Sequence, residues 1–100
     1  MKVVIPGNLR VGGFDYEVRV GGQTNAELEA VGLRGSHSDF LKRIEIRDNV
    51  SEIGATFLHE VLHAIDCVYC ASQLEENDIK LLGNGLYQVL KDMGIEFNNG

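Results

Sequence analysis

The spacing of apolar residues changes once along this chain of 100 residues, near residue 49. Before that point, apolar and charged residues alternate in residues 14–20 and again in residues 41–47, which is the period of a half-buried β-strand. After it, apolar residues recur at the spacing of an amphipathic helix, at Ile53, Phe57, Leu58, Val61, Leu62, Ile65 and Val68. Strands followed by helices predict the α+β class, with a small antiparallel sheet of about three to four short strands, then one helix and a second, C-terminal helix.

Capping and turn residues predict where these elements begin and end. Residues 32–38 contain two glycines and two serines, and we expect a loop there. Residues 49–52 (Asn-Val-Ser-Glu) have the form of a capping box that starts the first helix, and residues 72–75 (Ser-Gln-Leu-Glu) have the form of a second one. Gly94 predicts the end of the second helix, and residues 98–100 are expected to fray.

The length and charge of the chain exclude several classes of function. We expect residues 1–100 to form a single domain, because about a hundred residues suffice for only one core. The formal net charge of −6 argues against binding to a nucleic-acid backbone, but it is compatible with a protein or peptide substrate. The first residues lack the apolar segment of a secretory signal, and no apolar run approaches the ~20 residues that span a bilayer. We therefore expect a cytoplasmic protein without a membrane partner.

The string His59-Glu60-Val61-Leu62-His63 places an HExxH pattern inside the first predicted helix. Residues four apart lie one above the other on a helix, so His59 and His63 can bind one metal ion from the same side. Glu60 is rotated away from that line but can reach a water molecule on the metal. Zinc lowers the pKa of such a water to about 7, and a carboxylate can then take its proton and pass it to a leaving amine. The pattern predicts a Zn²⁺ site with Glu60 as the general base.

A catalytic zinc ion takes three protein ligands, and the third is not part of this motif. Our choice is Glu76, because it shares a face of the second predicted helix with Ile79 and Gly83, and that face should point at the first helix. A tight hairpin near residue 71 would leave Glu76 ~7.5 Å too far along the first helix.

Two other side chains stay open as candidates for the third position, as does the absence of any third ligand. Asp66 follows His63 by three positions, and its carboxylate could orient a ligand imidazole or lie on the helix surface. His37 is an alternative ligand, a donor to the transition state, or a solvated loop residue.

Cys67 and Cys70 form a CxxC pair at the end of the first predicted helix. Two reduced cytosolic thiols are the simplest interpretation, since a zinc ribbon needs a second pair. A redox pair or an auxiliary metal clamp is the alternative. Redox CxxC motifs use a helix N-terminus to lower a thiol pKa, and these cysteines lie at the opposite end.

Residues 57–66 and 84–92, together with residues 4–7 and 11–13, resemble small phage- and prophage-encoded zincin-like proteins. That group is in turn similar to the ImmA/IrrE metallopeptidases, some of which cleave repressors of mobile elements. The resemblance spans most of the chain and implies one zincin-like domain that binds zinc through His59 and His63 and uses Glu60 in peptide hydrolysis in a bacterial host cell. ImmA-like proteins have an acidic ligand where this chain has Lys80, which leaves three alternatives: Glu76 in that role, a different mode of metal binding, or weak metal binding.

Two functions follow as hypotheses. The first is a zinc-dependent metallopeptidase, whose substrate would be a peptide or protein such as a repressor or a phage or host protein. In zincin-like folds the strand beside the active helix pairs with the substrate, so residues 41–47 are the candidate strand, and Arg43 and Arg47 could favour acidic residues. The alternative is a non-catalytic zincin scaffold that binds and regulates another protein.

Overall fold

The computed structural model describes residues 1–100 and contains six strands and three helices. None of the helices combines the length and apolar content that crossing a membrane requires. In chain order the elements are β1 (Lys2–Val4), β2 (Asn8–Val11), β3 (Phe14–Val20), α1 (Gln23–Ala30), β4 (Gly35–Ser38), β5 (Arg43–Ile46), α2 (Ile53–Tyr69), α3 (Glu76–Asp92) and β6 (Glu96–Asn98).

The main sheet has four strands in the order β2-β3-β5-β4. β2 pairs with β3, and β4 with β5, in antiparallel fashion, whereas β3 and β5 are parallel. The α+β class is confirmed, and the sheet is mixed rather than wholly antiparallel because α1 and β4 separate β3 from β5 along the chain. A connection of that length allows the chain to cross over and return in the same direction.

The two ends of the chain meet in a separate sheet of two parallel strands, β1 and β6. Val3 lies opposite Phe97 and Val4 opposite Asn98, and the backbone N–H of Ile5 donates to the carbonyl of Asn98. The expectation that the chain frays from residue 98 is therefore wrong at Asn98. Its backbone groups find partners on a strand that is distant in sequence, which local pattern does not reveal.

Helix α2 is the central element of the fold, because it packs on the main sheet and on α3. The sheet contributes Tyr16, Ile44 and Ile46, which are fully buried, and α2 contributes Phe57 and Ala64 to the same core. From the other side, α3 buries Ile79 and Gly83. Helix α2, which carries the two histidines, thus lies between the main sheet and α3.

The helices begin three residues later than the capping patterns predicted. The residue that precedes α2 is Glu52, in the left-handed region at φ 59°, and not Asn49. Tertiary contacts hold this segment out of the helix: Arg34 donates to the carbonyl of Ser51, and the hydroxyl of Tyr87 donates to the Glu52 carboxylate. Local pattern gives the type of these elements but not their first residue.

Helix α3 is preceded by Glu75, and not by Ser72. Ser72 and Ala71 lie in the left-handed region, and the backbone N–H of Ser72 donates to the carbonyl of Asp66. The predicted capping residue therefore belongs to the turn that ends α2. Gly94, at φ 84°, follows α3 as predicted.

Strand β4 lies within residues 32–38, where the sequence predicted a loop. Its sequence, Gly-Ser-His-Ser, has low strand propensity, and it is held in place by pairing with β5 and by packing on α2. Because β4 is last in the order of the sheet, one of its edges has no partner strand. It is therefore β4, and not β5, that presents a free edge beside α2.

Candidate metal centre

Helix α2 holds His59 and His63 one turn apart with their rings converging. The two Nε2 atoms are 3.2 Å apart, and the ring centroids are 4.9 Å apart at an interplanar angle of 71°. Both side chains are about three-quarters buried. The i, i+4 spacing therefore produces the convergent pair of nitrogens that the HExxH pattern predicted.

The carboxylate of Glu76, the first residue of α3, faces both imidazoles. Its Oε1 lies 2.9 Å from Nε2 of His59, and its Oε2 lies 3.0 Å from Nε2 of His63. Ligand atoms around a tetrahedral zinc ion, with bonds of about 2.0 to 2.1 Å, are ~3.3 Å apart. The donor set of two imidazoles and one carboxylate, at these spacings, fits a zinc ion.

The position of Glu76 depends on a loop of six residues between the helices, longer than a tight hairpin. Asp66, buried on α2, accepts a hydrogen bond from the backbone N–H of Leu74 at 3.1 Å. The Asp78 carboxylate then accepts from the backbone N–H of Glu75 and completes a capping box. These contacts fix the start of α3, and the expected gap of ~7.5 Å between Glu76 and the histidines is absent.

Asp66 is thus a loop anchor rather than an orienter of a ligand imidazole. Its carboxylate bonds to Leu74, and no hydrogen bond joins it to His63. Nor is it a surface residue, since it is 6% exposed. This role depends on the path of a loop that follows it, and the spacing of residues on α2 does not reveal it.

Glu60 lies behind the histidines, on the side of α2 that faces β4. It is 7% exposed, and its ligand atom lies within 4.8 Å of those of His59 and His63. Burial, with a contribution from the negative charge of Glu76, raises the pKa of Glu60 to about 7. A carboxyl group with this pKa can exchange a proton near neutral pH, as a general base must.

Gly35 allows β4 to approach this carboxylate closely. A Cβ atom at position 35 would lie 2.7 Å from Cγ2 of Thr56 and 3.0 Å from Oε2 of Glu60. Any side chain here would therefore displace Thr56, Glu60 or the strand.

His37 lies on β4 and packs against the metal centre without entering it. Its ring stacks on His63, with centroids 5.6 Å apart, and on Tyr16, with centroids 6.3 Å apart. Its Nε2 is buried without a hydrogen-bond partner, as is the hydroxyl of Tyr16. Burial, followed by the charge of His63, lowers the pKa of His37, which favours the neutral ring. His37 is not a solvated loop residue, and sequence pattern did not identify Tyr16 as its neighbour.

A pocket of about 410 Å³ opens beside the metal centre, between the start of β4 and helices α2 and α3. His59 and Glu60 line it from α2, and Lys80 and Asn84 line it from α3. In the sequence, Lys80 is notable only as the residue in place of an acidic ligand. The structure places it in the wall of this pocket.

The two cysteines are separate from the metal centre and form no disulfide. The Asp39 carboxylate near Cys67, together with burial, raises the pKa of its thiol. A raised pKa disfavours the thiolate that redox exchange requires. The structure thus agrees with two reduced thiols.

The chain matches no protein-family model, no curated protein and no solved structure in the comparisons made. The comparisons therefore add no support for a particular function, and the geometry of the site is the starting point. His59, Glu60 and His63 form a group that could hold a metal ion. The assignment of Glu76 as its third ligand stays a prediction, with both of its oxygens within 3.0 Å of the imidazoles.

Proposed function

We propose that this protein is a zinc-dependent metallopeptidase in which His59, His63 and Glu76 hold the metal and Glu60 is the general base. The observation that supports this most directly is the convergence of two imidazole nitrogens and one carboxylate, from two helices, at separations of 2.9 to 3.2 Å. Two histidines and one glutamate are a ligand set that catalytic zinc ions use.

Glu60 has the environment that its proposed role requires. Bound zinc would act as a Lewis acid that makes the attacking water more acidic. The Glu60 carboxylate lines the open pocket and would accept the proton of that water, then donate it to the amine of the departing peptide. Burial raises the pKa of Glu60 to about 7, and the positive charge of a bound zinc ion would favour the carboxylate form that accepts the proton.

The free edge of β4 is the element that would align the substrate. An extended peptide can add to such an edge through main-chain hydrogen bonds. β5, the strand expected from the sequence, is paired on both sides by β3 and β4 and cannot receive another strand. β4 packs on α2, and a Cβ atom added at its Gly35 would lie only 3.0 Å from Oε2 of Glu60. A peptide on this edge would therefore run past the proposed base.

The substrate class is a peptide or an extended segment of a protein. The resemblance of residues 57–66 and 84–92 to phage- and prophage-encoded zincin-like proteins supports placing the chain with that group, near the ImmA/IrrE metallopeptidases. A repressor or another phage or host protein is accordingly the proposed kind of substrate.

Zinc titration combined with peptide cleavage tests this function. Wild-type protein loaded with zinc is expected to cleave members of a random-sequence peptide library, detected by mass spectrometry. Glu60→Gln should keep its zinc and lose cleavage by about 10²- to 10⁴-fold, and His63→Ala should lose the zinc itself. Glu27→Gln, which changes an exposed glutamate on α1, is the matched control and should behave as wild type.

Two results would contradict the proposal. Cleavage retained by Glu60→Gln would remove the base assignment. A zinc-loaded wild-type protein that cleaves no peptide in the library would leave the non-catalytic binding module as the remaining function.

A further inference from the structure

The pocket beside the metal centre is lined by two positively charged side chains, although the chain as a whole is acidic. Arg34 lines it from the segment before β4, and Lys80 lines it from α3. The whole chain carries a net charge of −6, yet the only carboxyl group that lines this pocket is that of the buried Glu60. The pocket is therefore a local positive region on an acidic protein.

Neither cation has an acidic partner in the protein. The guanidinium of Arg34 donates to the carbonyl of Ser51, and neither Arg34 nor Lys80 takes part in an ion pair. Glu76, four residues before Lys80 on α3, has the spacing of a usual helical partner. Its two oxygens face the histidines instead, so the ammonium group of Lys80 is left without a carboxylate.

Arg43 and Arg47, the arginines that the sequence suggested for recognising acidic substrate residues, differ from Arg34 and Lys80 because they already have partners. Arg43 is paired with Glu17 at 2.9 Å. Arg47 donates to Asn49 at 3.0 Å and lies 3.9 Å from a carboxylate oxygen of Glu29. Both side chains already have partners, so they are poorly placed to attract an acidic substrate group.

We propose that this pocket binds a carboxylate of the substrate, with Lys80 as the residue that determines this preference and Arg34 as a second cation. The inference rests on the proposed function, since the pocket is a specificity site only if the adjoining centre acts on a peptide. The carboxylate belongs either to an Asp or Glu side chain or to the C-terminus of the peptide, and the pocket supplies the same chemistry for both.

Three hydroxamate probes of matched size test this preference by binding rather than by activity. Each joins a malonyl hydroxamate, which anchors on zinc, to one residue: a glutamate with an amidated C-terminus, a glutamine with a free C-terminus, or a glutamine with an amidated C-terminus. Calorimetric titration of the zinc-loaded protein should show that one of the two acidic probes binds about tenfold more tightly than the neutral probe. Which of the two binds better identifies the source of the carboxylate.

Substitutions connect this preference to Lys80. Lys80→Gln should remove the difference between acidic and neutral probes, and Lys80→Glu should make the acidic probes the weaker binders. Lys2→Gln is the matched control, because it removes the same charge from an exposed lysine on β1 and should keep the tenfold preference. Equal binding of all three probes to the wild-type protein would overturn the carboxylate pocket and leave the metal centre intact. If no probe binds to the zinc-loaded protein, the proposed function fails, and the inference fails with it.

Discussion

Glu76 is 68% exposed, yet both of its oxygens are directed at imidazole nitrogens. An exposed glutamate side chain loses conformational freedom when it is held in one place, so contacts with two imidazole rings alone are a weak reason for this arrangement. A shared cation is a better one, because it attracts all three side chains at once. The exposure also leaves one side of the centre accessible to substrate, as a catalytic zinc site requires.

Glu76→Ala should lower the affinity for zinc by more than about 100-fold, since removing even the outer-shell partners of ligands costs about 10- to 100-fold. Competition with a chromophoric zinc chelator measures the change. Glu27→Ala removes an exposed glutamate far from the centre and serves as the control for net charge. Equal zinc affinity of Glu76→Ala and Glu27→Ala would show that Glu76 is not a ligand.

The residues of the centre differ in how far the sequence could predict them. His59, Glu60 and His63 were predictable because one helical turn fixes their relation to each other. Glu76 was chosen from its helix face, although the expected hairpin placed it too far away. The contacts of Tyr16 and His37 could not be predicted, since they depend on the pairing of strands that are distant in sequence.

Two glycines in the helices show how the packing of elements decides the effect of the same substitution. Gly83 is buried where α3 meets α2, yet a Cβ atom there would be 3.6 Å from Leu62 and 3.7 Å from the Cα of His59, which are ordinary contacts. Gly54 lies in the first turn of α2, where a Cβ atom would be 2.9 Å from the ring of Tyr87 and 3.0 Å from that of Phe97.

Gly83→Ala and Gly54→Ala should therefore change stability in opposite directions. Alanine at position 83 should raise the free energy of unfolding by about 0.5 to 1 kcal/mol, because it restricts the unfolded chain and favours the helix. Alanine at position 54 should lower it by about 1 to 3 kcal/mol, because two aromatic rings must move. Urea denaturation measures both. A loss of stability in Gly83→Ala would mean that the two helices are packed more closely than the structure indicates.

At the scale of elements, the sequence predicted the strands and helices that have a regular apolar period, but it did not predict a strand that lacks one. The alternation in residues 14–20 and the helical spacing after residue 53 both gave the observed type of element. β4 was missed because its small polar residues carry no strand pattern, although it lies beside Glu60. A strand such as β4, which is stabilised by pairing and packing with its neighbours, need not have a strand pattern in its own sequence.

At the scale of the whole molecule, β1 and β6 at the two ends of the chain pair with each other, next to helix α2. Phe97 on β6 packs against Phe57 on α2, with ring centroids 5.6 Å apart, and its ring would lie 3.0 Å from a Cβ atom added at Gly54. The terminal sheet thus supports the N-terminal part of α2, whereas the loop anchored by Asp66 follows its C-terminal end. The histidines lie between these two supports.

Phe97→Ala should lower the free energy of unfolding by about 2 to 3 kcal/mol, less than the loss of a fully buried ring, because Phe97 is only partly buried. Phe40→Ala is the matched control, since Phe40 is 93% exposed, and its effect should stay within about 0.5 kcal/mol. Thermal or urea unfolding compares the two, and hydrogen exchange in the first turn of α2 should become faster only in Phe97→Ala. Because the ligands lie further along α2 and on α3, folded Phe97→Ala should keep its zinc affinity. Equal stability of the two variants would show that the terminal sheet does not support α2.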